Sequence, residues 1–508
     1  MLAPTVARDR ILVRFRSDAV AAALLMALAF GLRVASFGDP NLHVDETFYF
    51  YVAERMHQGA LLYVDIWDRK PPGLFLIYYL IVGIWDNVIA YQVAATVVAG
   101  LTAWTVFLIA RTFVNWQGAF FAGCVYVVML GPLQGFGGQA SVFYNLPVAA
   151  AALIVLKALP ALREGETPRS LYCAFLLLGF AITIKQTTFV EGAYFGVYCT
   201  WLLWRSPAPR SRRWMQPFVW AGLGAAPFLI FCGAFALSGH WFEFWQAMVT
   251  SNFKKEKPDI LSIGARSILV STKILPLFCL MILSSLIGRR LLGTGKEYLF
   301  VGTWVAAALA GFLVIPNIYI HYAIALLPSF SAFCAPFLAR GFGIAAMAGV
   351  AASTFVWHDP FAFSYSRESR MAMDRLRAAV LAHDSNGVLL IYDGPPLLYS
   401  VSGLRAPTPL AFPLHLNHEI ERNVSHIDTG TEIKRILALR PGAIVMAREV
   451  RNFPVNWDTR RMVLAYVATN CRDVGLFVSP EMLRTDNLVL YGDCGVRFKP
   501  PPGSGKSR

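Results

Sequence analysis

The residues best suited to chemistry stand in one polar stretch, DPNLHVDETFYFYVAERMHQGALLYVDIWDRKPP, running from Asp39 to Pro72. It opens with the acidic pair Asp45–Glu46 and closes with Asp65, Asp68, Arg69 and Lys70 ahead of two prolines. An aspartate beside apolar surface and close to cations can act as a general base toward a hydroxyl, or ligate a divalent metal. A neighbouring lysine can hold a phosphate as a point charge. Base and phosphate clamp together suit displacement of a phosphate-linked leaving group. Asp45 equally suits the cap of a helix running to Gly59, a role compatible with catalysis. A solvated loop is the plainer reading. Against it, Phe48, Tyr49, Tyr51, Val52, Leu61, Leu62, Tyr63 and Trp67 provide apolar surface for lying on a membrane.

Three further stretches carry groups able to join that loop. ITIKQTTF puts Lys185 and Gln186 at the end of an apolar run, where an ammonium is costly unless it snorkels or meets an anion. NIYIHYAIALLPSF puts His321 and Tyr322 at another such edge. Tyr322 reads most simply as an interfacial aromatic, and His321 as either that or a phosphate or metal contact. HWFEFWQAMVTSNFKKEKPD combines aromatics with Lys254, Lys255 and Lys257, suiting an amphipathic helix on lipid headgroups or an anionic ligand.

The elements that must hold these groups are membrane spans. Of 508 residues 56% are hydrophobic and only 15% charged, against about 25% charged in soluble domains. The apolar residues come in blocks near the roughly 20 residues that cross a bilayer core. The net charge of +14 then reads as topology signal and lipid contact rather than nucleic-acid binding. Spans are expected at 19–37, 89–110, 119–130, 147–162, 171–184, 189–203, 217–237, 268–287, 298–315, 322–339 and 342–357, about 11 in all. The stretch 71–85 is short and reads as a half-helix or juxtamembrane helix started by Pro71 and Pro72.

Arginines before the first span (residues 1–18) favour a cytoplasmic N-terminus, and no cleavage site marks that span as a removable signal. Alternate loops then carry Arg111, Arg163, Arg205, Arg213, Arg289 and Arg340 inside, leaving the loop 38–72 outside. Residues 19–357 form the transmembrane module. An odd span count puts residues 358–498 outside too, in the periplasm of a Gram-negative host. That part has soluble composition, with GVLLIYD and GAIVMA as buried strands between helical segments at 367–383 and 431–439, so a small α/β domain is expected. Cys471 and Cys494 suit either a disulfide in an oxidising compartment or two free thiols. The remaining six cysteines lie in apolar runs, and no CxxC or Cys/His cluster suggests zinc. Residues 499–508 read as a disordered tail.

At HVDETFYFYVAERMHQGALLYVDIWDRKPPG, ITIKQTTF and IYIHYAIALLP, in that order, the chain resembles the integral-membrane GT-C glycosyltransferases that use polyprenyl-phosphate sugars. The branch includes protein mannosyltransferases, lipid A aminoarabinose transferases and rhizobial lipopolysaccharide galacturonosyltransferases. The resemblance covers roughly residues 19–339. It implies an inverting transfer outside the membrane, with Asp45 as base and Glu46 adjacent. It implies Lys70 facing the lipid phosphate, with Arg69, Lys185 and His321 beside it and Asp65, Asp68 and Tyr322 toward substrate. Some relatives carry a glutamate as metal ligand before that lysine. Arg69 stands there in this chain and Asp68 one further back, so a divalent metal is possible and no cofactor is certain. The loop 131–145, which often carries a carboxylate in relatives, has none here. The expected partners are a polyprenyl-phosphate-linked sugar, an envelope acceptor such as lipopolysaccharide or lipid A, and membrane lipid. The expected place is a bacterial inner membrane with the site facing the periplasm. The C-terminal IYDGPPLLYSVSGLRAPTPLAF looks most like bacterial envelope enzymes, and galacturonic acid is the narrower expectation for the sugar. A transporter or flippase of lipid-linked glycans would need charged mid-span residues and internal repeats. A non-catalytic assembly protein and a protein O-mannosyltransferase are also compatible with the sequence.

Overall fold

Apolar runs in hydrocarbon can satisfy their backbone groups only as helices or closed barrels, and this chain forms helices. The computed structural model describes residues 3–255, 259–291, 296–314, 317–450, 454–481 and 484–495. Lys257, the end of the expected span at Ile315 and the tail 499–508 lie outside those residues. The helical part runs through α1 (Ala3–Gly31), α2 (Val44–His57), α3 (Pro72–Ile84), α4 (Val88–Ala110), α5 (Trp116–Leu130), α6 (Ala140–Arg163) and α7 (Ser170–Ile184). It continues with α8 (Phe189–Arg205), α9 (Arg210–Leu237), the short α10 (Trp241–Trp245) and α11 (Ser251–Lys254), then α12 (Ile260–Leu291), α13 (Lys296–Leu313), α14 (Leu327–Leu338) and α15 (Gly343–Phe355).

Each expected span falls on one of these helices. Among the described residues six segments are long and apolar enough to cross a membrane: Arg16–Ser36, Val88–Ala110, Ala140–Arg163, Arg210–Leu237, Ile260–Gly288 and Ile320–Leu338. Helices α3, α5, α7 and α15 are apolar but shorter. The 13 residues of α3 rise only about 20 Å against a core of roughly 30 Å. The protein is a multi-pass α-helical membrane protein.

The C-terminal region adds α16 (Phe363–His383), β1 (Leu389–Ile391), α17 (Leu397–Ser402), α18 (Leu414–Asn417), α19 (Thr429–Ala438), β2 (Ala443–Ala447), α20 (Trp457–Asn470), β3 (Arg472–Glu481) and β4 (Arg484–Gly492). Its sheet has the order β1-β2-β4-β3, with β1 and β2 parallel and the other pairs antiparallel. A disulfide joins Cys471 to Cys494, tying the end of α20 to the residues after β4.

The first loop is where the two parts meet. In α2 every residue from Glu46 to Ala53 is buried. Phe48 packs on Phe412 (ring centroids 5.0 Å apart) and Tyr51 stacks on Tyr399 (5.3 Å), both from the C-terminal region. Trp67 enters the C-terminal core beside Leu390, Tyr392 and Val463, and its backbone N–H donates to the Pro409 carbonyl at 2.9 Å. This corrects the expectation that the loop's aromatics lie on lipid. Covered on one side by helices and on the other by the C-terminal region, they are core residues, while Leu61 stays exposed. Helix α16 docks on the start of the loop, with Ser369 Oγ donating to Asp39 Oδ1 (2.6 Å) and Ser366 Oγ donating to the Ala35 carbonyl (2.6 Å).

Candidate active site between the first loop and the C-terminal domain

A cavity of about 490 Å³ opens between the first loop, the 3₁₀ turn Ile320–Leu326 and the C-terminal domain. Asp45, Asp68, Arg69, Lys70, His321 and Tyr322 all line it. Six groups singled out in the sequence, from two stretches more than 250 residues apart, thus share one cavity.

Asp45 owes its position to a cap other than itself. His43 is the N-cap of α2, its Nδ1 accepting from the Asp45 N–H at 3.2 Å. Asp45 therefore does not cap, as the sequence also allowed; it sits in the first turn with its carboxylate directed at the cavity. Oδ2 lies 3.9 Å from His321 Nε2, and the rings of His43 and His321 meet edge to face at 5.2 Å. Burial by itself would raise the Asp45 carboxyl, but Lys70, His43, His321 and Lys185 outweigh it and hold it well below the usual range.

Glu46 points elsewhere. Successive helix residues do not share a face, so the neighbour of a cavity-facing Asp45 turns into the protein. There it is fully buried against the turn before α6, where a side chain on Gly137 would strike its carboxylate. Burial first, and the Asp45 charge after it, push the Glu46 carboxyl up to about 8, against the pull of the Gly138 backbone, Arg33 and Gln139. Glu46 lies behind the cavity wall and is not among the residues lining it.

Arg33, the one charged residue of the first expected span, holds that turn. Its guanidinium donates to Thr96 Oγ1 at 2.9 Å and to the carbonyls of Gly135 and Gly137, the latter at 2.8 Å. The one available signal was an arginine at the end of an otherwise uncharged span.

Lys70 is set by the turn before α3. Its N–H donates to Asp68 Oδ1 (2.8 Å), its carbonyl accepts from Tyr63 Oη (2.8 Å), and its ammonium lies 5.2 Å from the Tyr49 ring centroid. Asp68 thus shapes the backbone that carries Lys70. Gly73 then lets α3 start against the end of α7, since a Cβ there would lie 2.7 Å from the Thr183 carbonyl. That close approach brings Lys185, just past α7, toward Lys70. The Lys185 ammonium lies over Tyr322, 4.3 Å from its centroid, and behind the cavity wall. Burial, then the charge of Lys70, lowers it to about 7. Asp65 is exposed and accepts from the Leu61 N–H at 2.8 Å; it is not among the cavity residues.

The C-terminal domain closes the cavity with groups for which the sequence offered no sign. Glu421 Oε1 receives Arg69 and Lys255, each at 2.8 Å, from two different loops. Those cations outweigh burial and keep its carboxyl well below the usual range. Lys255 is lowered to about 8, by burial first and then by Arg69. Arg266 also lines the cavity, stacked on Tyr319 at 4.6 Å.

These residues do not fit a divalent ion. Among the described residues no group of three His, Cys, Asp or Glu side chains is placed to hold a metal ion. The Asp45 carboxylate instead feels the ammonium groups of Lys70 and Lys185. A phosphate is the better complement.

The helical membrane module with its small C-terminal sheet has the fold of the GT-C class, as its likeness to solved structures shows. Solved structures similar to this chain carry the same fold. One is ArnT from Cupriavidus metallidurans bound to undecaprenyl phosphate, with TM-score 0.58 and 12% identity over 92% of this chain and 97% of that one. Another is the apo oligosaccharyltransferase of Archaeoglobus fulgidus, with TM-score 0.50 and 10% identity over 85% of this chain and 69% of that one. No family model matches the chain, and no curated protein matches it in sequence.

Proposed function

We propose that this protein transfers a sugar from a polyprenyl-phosphate donor to an envelope acceptor, with Asp45 as general base. The observation that carries the reading is the Asp45 carboxylate in a cavity walled by Lys70, Arg69 and His321, with Lys185 behind it. The donor phosphate sits on Lys70 and its neighbours. The acceptor hydroxyl gives its proton to Asp45, and its oxygen attacks the anomeric carbon. The bond from that carbon to the phosphate oxygen breaks, its electron pair leaves with polyprenyl phosphate, and the configuration inverts.

The same cations that ionise Asp45 make it a weak base while the cavity is empty of anion. A bound phosphate offsets their field, so Asp45 gains basicity only when the donor is in place. This couples proton removal to the loaded site and protects against idle chemistry.

The site faces the periplasm of a bacterial inner membrane in this reading, and the acceptor is a lipopolysaccharide core or lipid A. Lys255 and Arg266 on the cavity wall suit a phosphorylated acceptor, and galacturonic acid stays the sugar that the family resemblance suggests. Mass spectrometry of envelope glycolipids from deleted and complemented cells tests this. Loss of one discrete hexuronic acid mass from lipopolysaccharide supports the full reading. Loss of another sugar, or of sugar from protein, keeps the transferase and discards galacturonate. An unchanged glycan profile on every carrier refutes the transferase.

A further inference from the structure

Three side chains of the C-terminal domain line the cavity and carry buried polar atoms that find no hydrogen-bond partner among the described residues. They are His415, through both Nδ1 and Nε2, Asn417 through Oδ1, and Glu421 through Oε2. His415 Nδ1 and Glu421 Oε2 are 3.9 Å apart, too far to satisfy each other. All three residues are more than nine-tenths buried, at 4%, 3% and 8% exposed. Leaving one such atom unmet is costly in a folded protein, and four in one patch mark a place where a ligand completes the set.

Their positions are not accidental consequences of loose packing. His415 is wedged between Trp67 (4.7 Å between centroids) and Phe412 (5.3 Å), which fixes the ring. The Asn417 amide nitrogen is already spent on the Tyr392 carbonyl and on Asp393 Oδ1, at 2.8 and 2.7 Å, and its oxygen is left without a partner. Glu421 is held through Oε1 by Arg69 and Lys255, so its second oxygen is presented at a set angle.

The chemistry of the patch selects its occupant. A hydrocarbon tail could not satisfy it, and a second phosphate would meet the Glu421 carboxylate. Sugar hydroxyls both donate and accept, and Phe412 offers an apolar ring in the same wall for a sugar face. The patch also adjoins the phosphate cations, since Arg69 and Lys70 are among the charges acting on His415. A sugar joined to a phosphate on Lys70 therefore reaches it.

Resting on the transferase reading above, we infer that His415, Asn417 and Glu421 form the donor-sugar subsite, so that the C-terminal domain reads the sugar while the first loop holds the phosphate. Sugar specificity then resides in the soluble domain rather than in the spans.

The test compares affinities of the full-length protein in nanodiscs for undecaprenyl phosphate and for the same lipid carrying glucose, galactose or galacturonic acid. On the wild type one glycosylated lipid binds at least tenfold more tightly than the bare lipid. His415→Phe keeps the ring and its packing, removes that increment by tenfold or more, and leaves bare-lipid affinity within twofold. His415→Gln restores hydrogen-bonding atoms and recovers part of the increment. Equal weakening of both lipids by His415→Phe, or no weakening of either, overturns the subsite. So does a wild type that prefers none of the three sugars, a result that spares the phosphate site. A wild type that binds no polyprenyl phosphate at all removes the transferase reading and the subsite with it.

Discussion

Asp45→Asn separates catalysis from binding because the two effects run in opposite directions. The amide has the same shape and hydrogen-bonding reach at the first turn of α2, and the cap of that helix is His43, so the fold should persist. Loss of a positioned base lowers turnover by about 10²–10⁴. Removing the charge also removes a repulsion on the incoming phosphate. At ~6 Å and an effective dielectric near 20, two unit charges interact by about 3 kcal/mol. Solvent in the open cavity reduces this, and a gain of about tenfold in lipid-phosphate affinity is the reasonable expectation. Transfer of a radiolabelled sugar from polyprenyl phosphate in membranes reads the first effect, and undecaprenyl phosphate binding to purified protein reads the second. Activity near wild type refutes Asp45 as base. Activity lost together with lipid binding refutes the division of labour, and makes Asp45 part of the binding surface.

Other expectations follow from the same geometry. Lys185, lowered to about 7 by burial and then by Lys70, is cationic below that pH and neutral above it. Affinity for undecaprenyl phosphate should therefore fall several-fold between pH 6.5 and 8.5, and Lys185→Gln should flatten that slope as measured by titration in nanodiscs. Glu46 has a carboxyl raised by burial to about 8, so its contribution to stability is fully present below the unfolded value and is lost as pH rises through 8. Glu46→Gln should stabilise the protein at pH 8 relative to pH 5, by at most about 4 kcal/mol, seen as a higher Tm in detergent. Gly73→Ala drives a methyl against Thr183; the overpacking costs about 1–3 kcal/mol, and the displaced Lys70 lowers transfer by at least tenfold in the membrane assay.

Much of this protein is legible without coordinates because the causes are local. A membrane span announces itself by composition over about 20 residues. Pro71 and Pro72 suit a helix start, since a missing N–H group costs nothing at that position. The cluster of Asp45, Asp68 and Lys70 lies within one loop, close enough in sequence to suggest a shared task. The spans on either side then carry Lys185 and His321 to the same region.

What stayed hidden depended on direction and on distance along the chain. Asp45 and Glu46 are indistinguishable as neighbouring letters. Only the helix, started by His43, turns one into the cavity and the other toward Arg33. Aromatics such as Tyr51 and Trp67 satisfy a lipid surface and a protein core equally well. The C-terminal domain folding back over them made them core. Glu421 meets Arg69 across 352 positions, and nothing local in its surroundings signals that contact. Apolar periodicity, prolines and charge bias determine the elements of this protein. Which side chains share a cavity is decided by packing between elements, because the energy of those contacts exists only once distant parts of the chain have met.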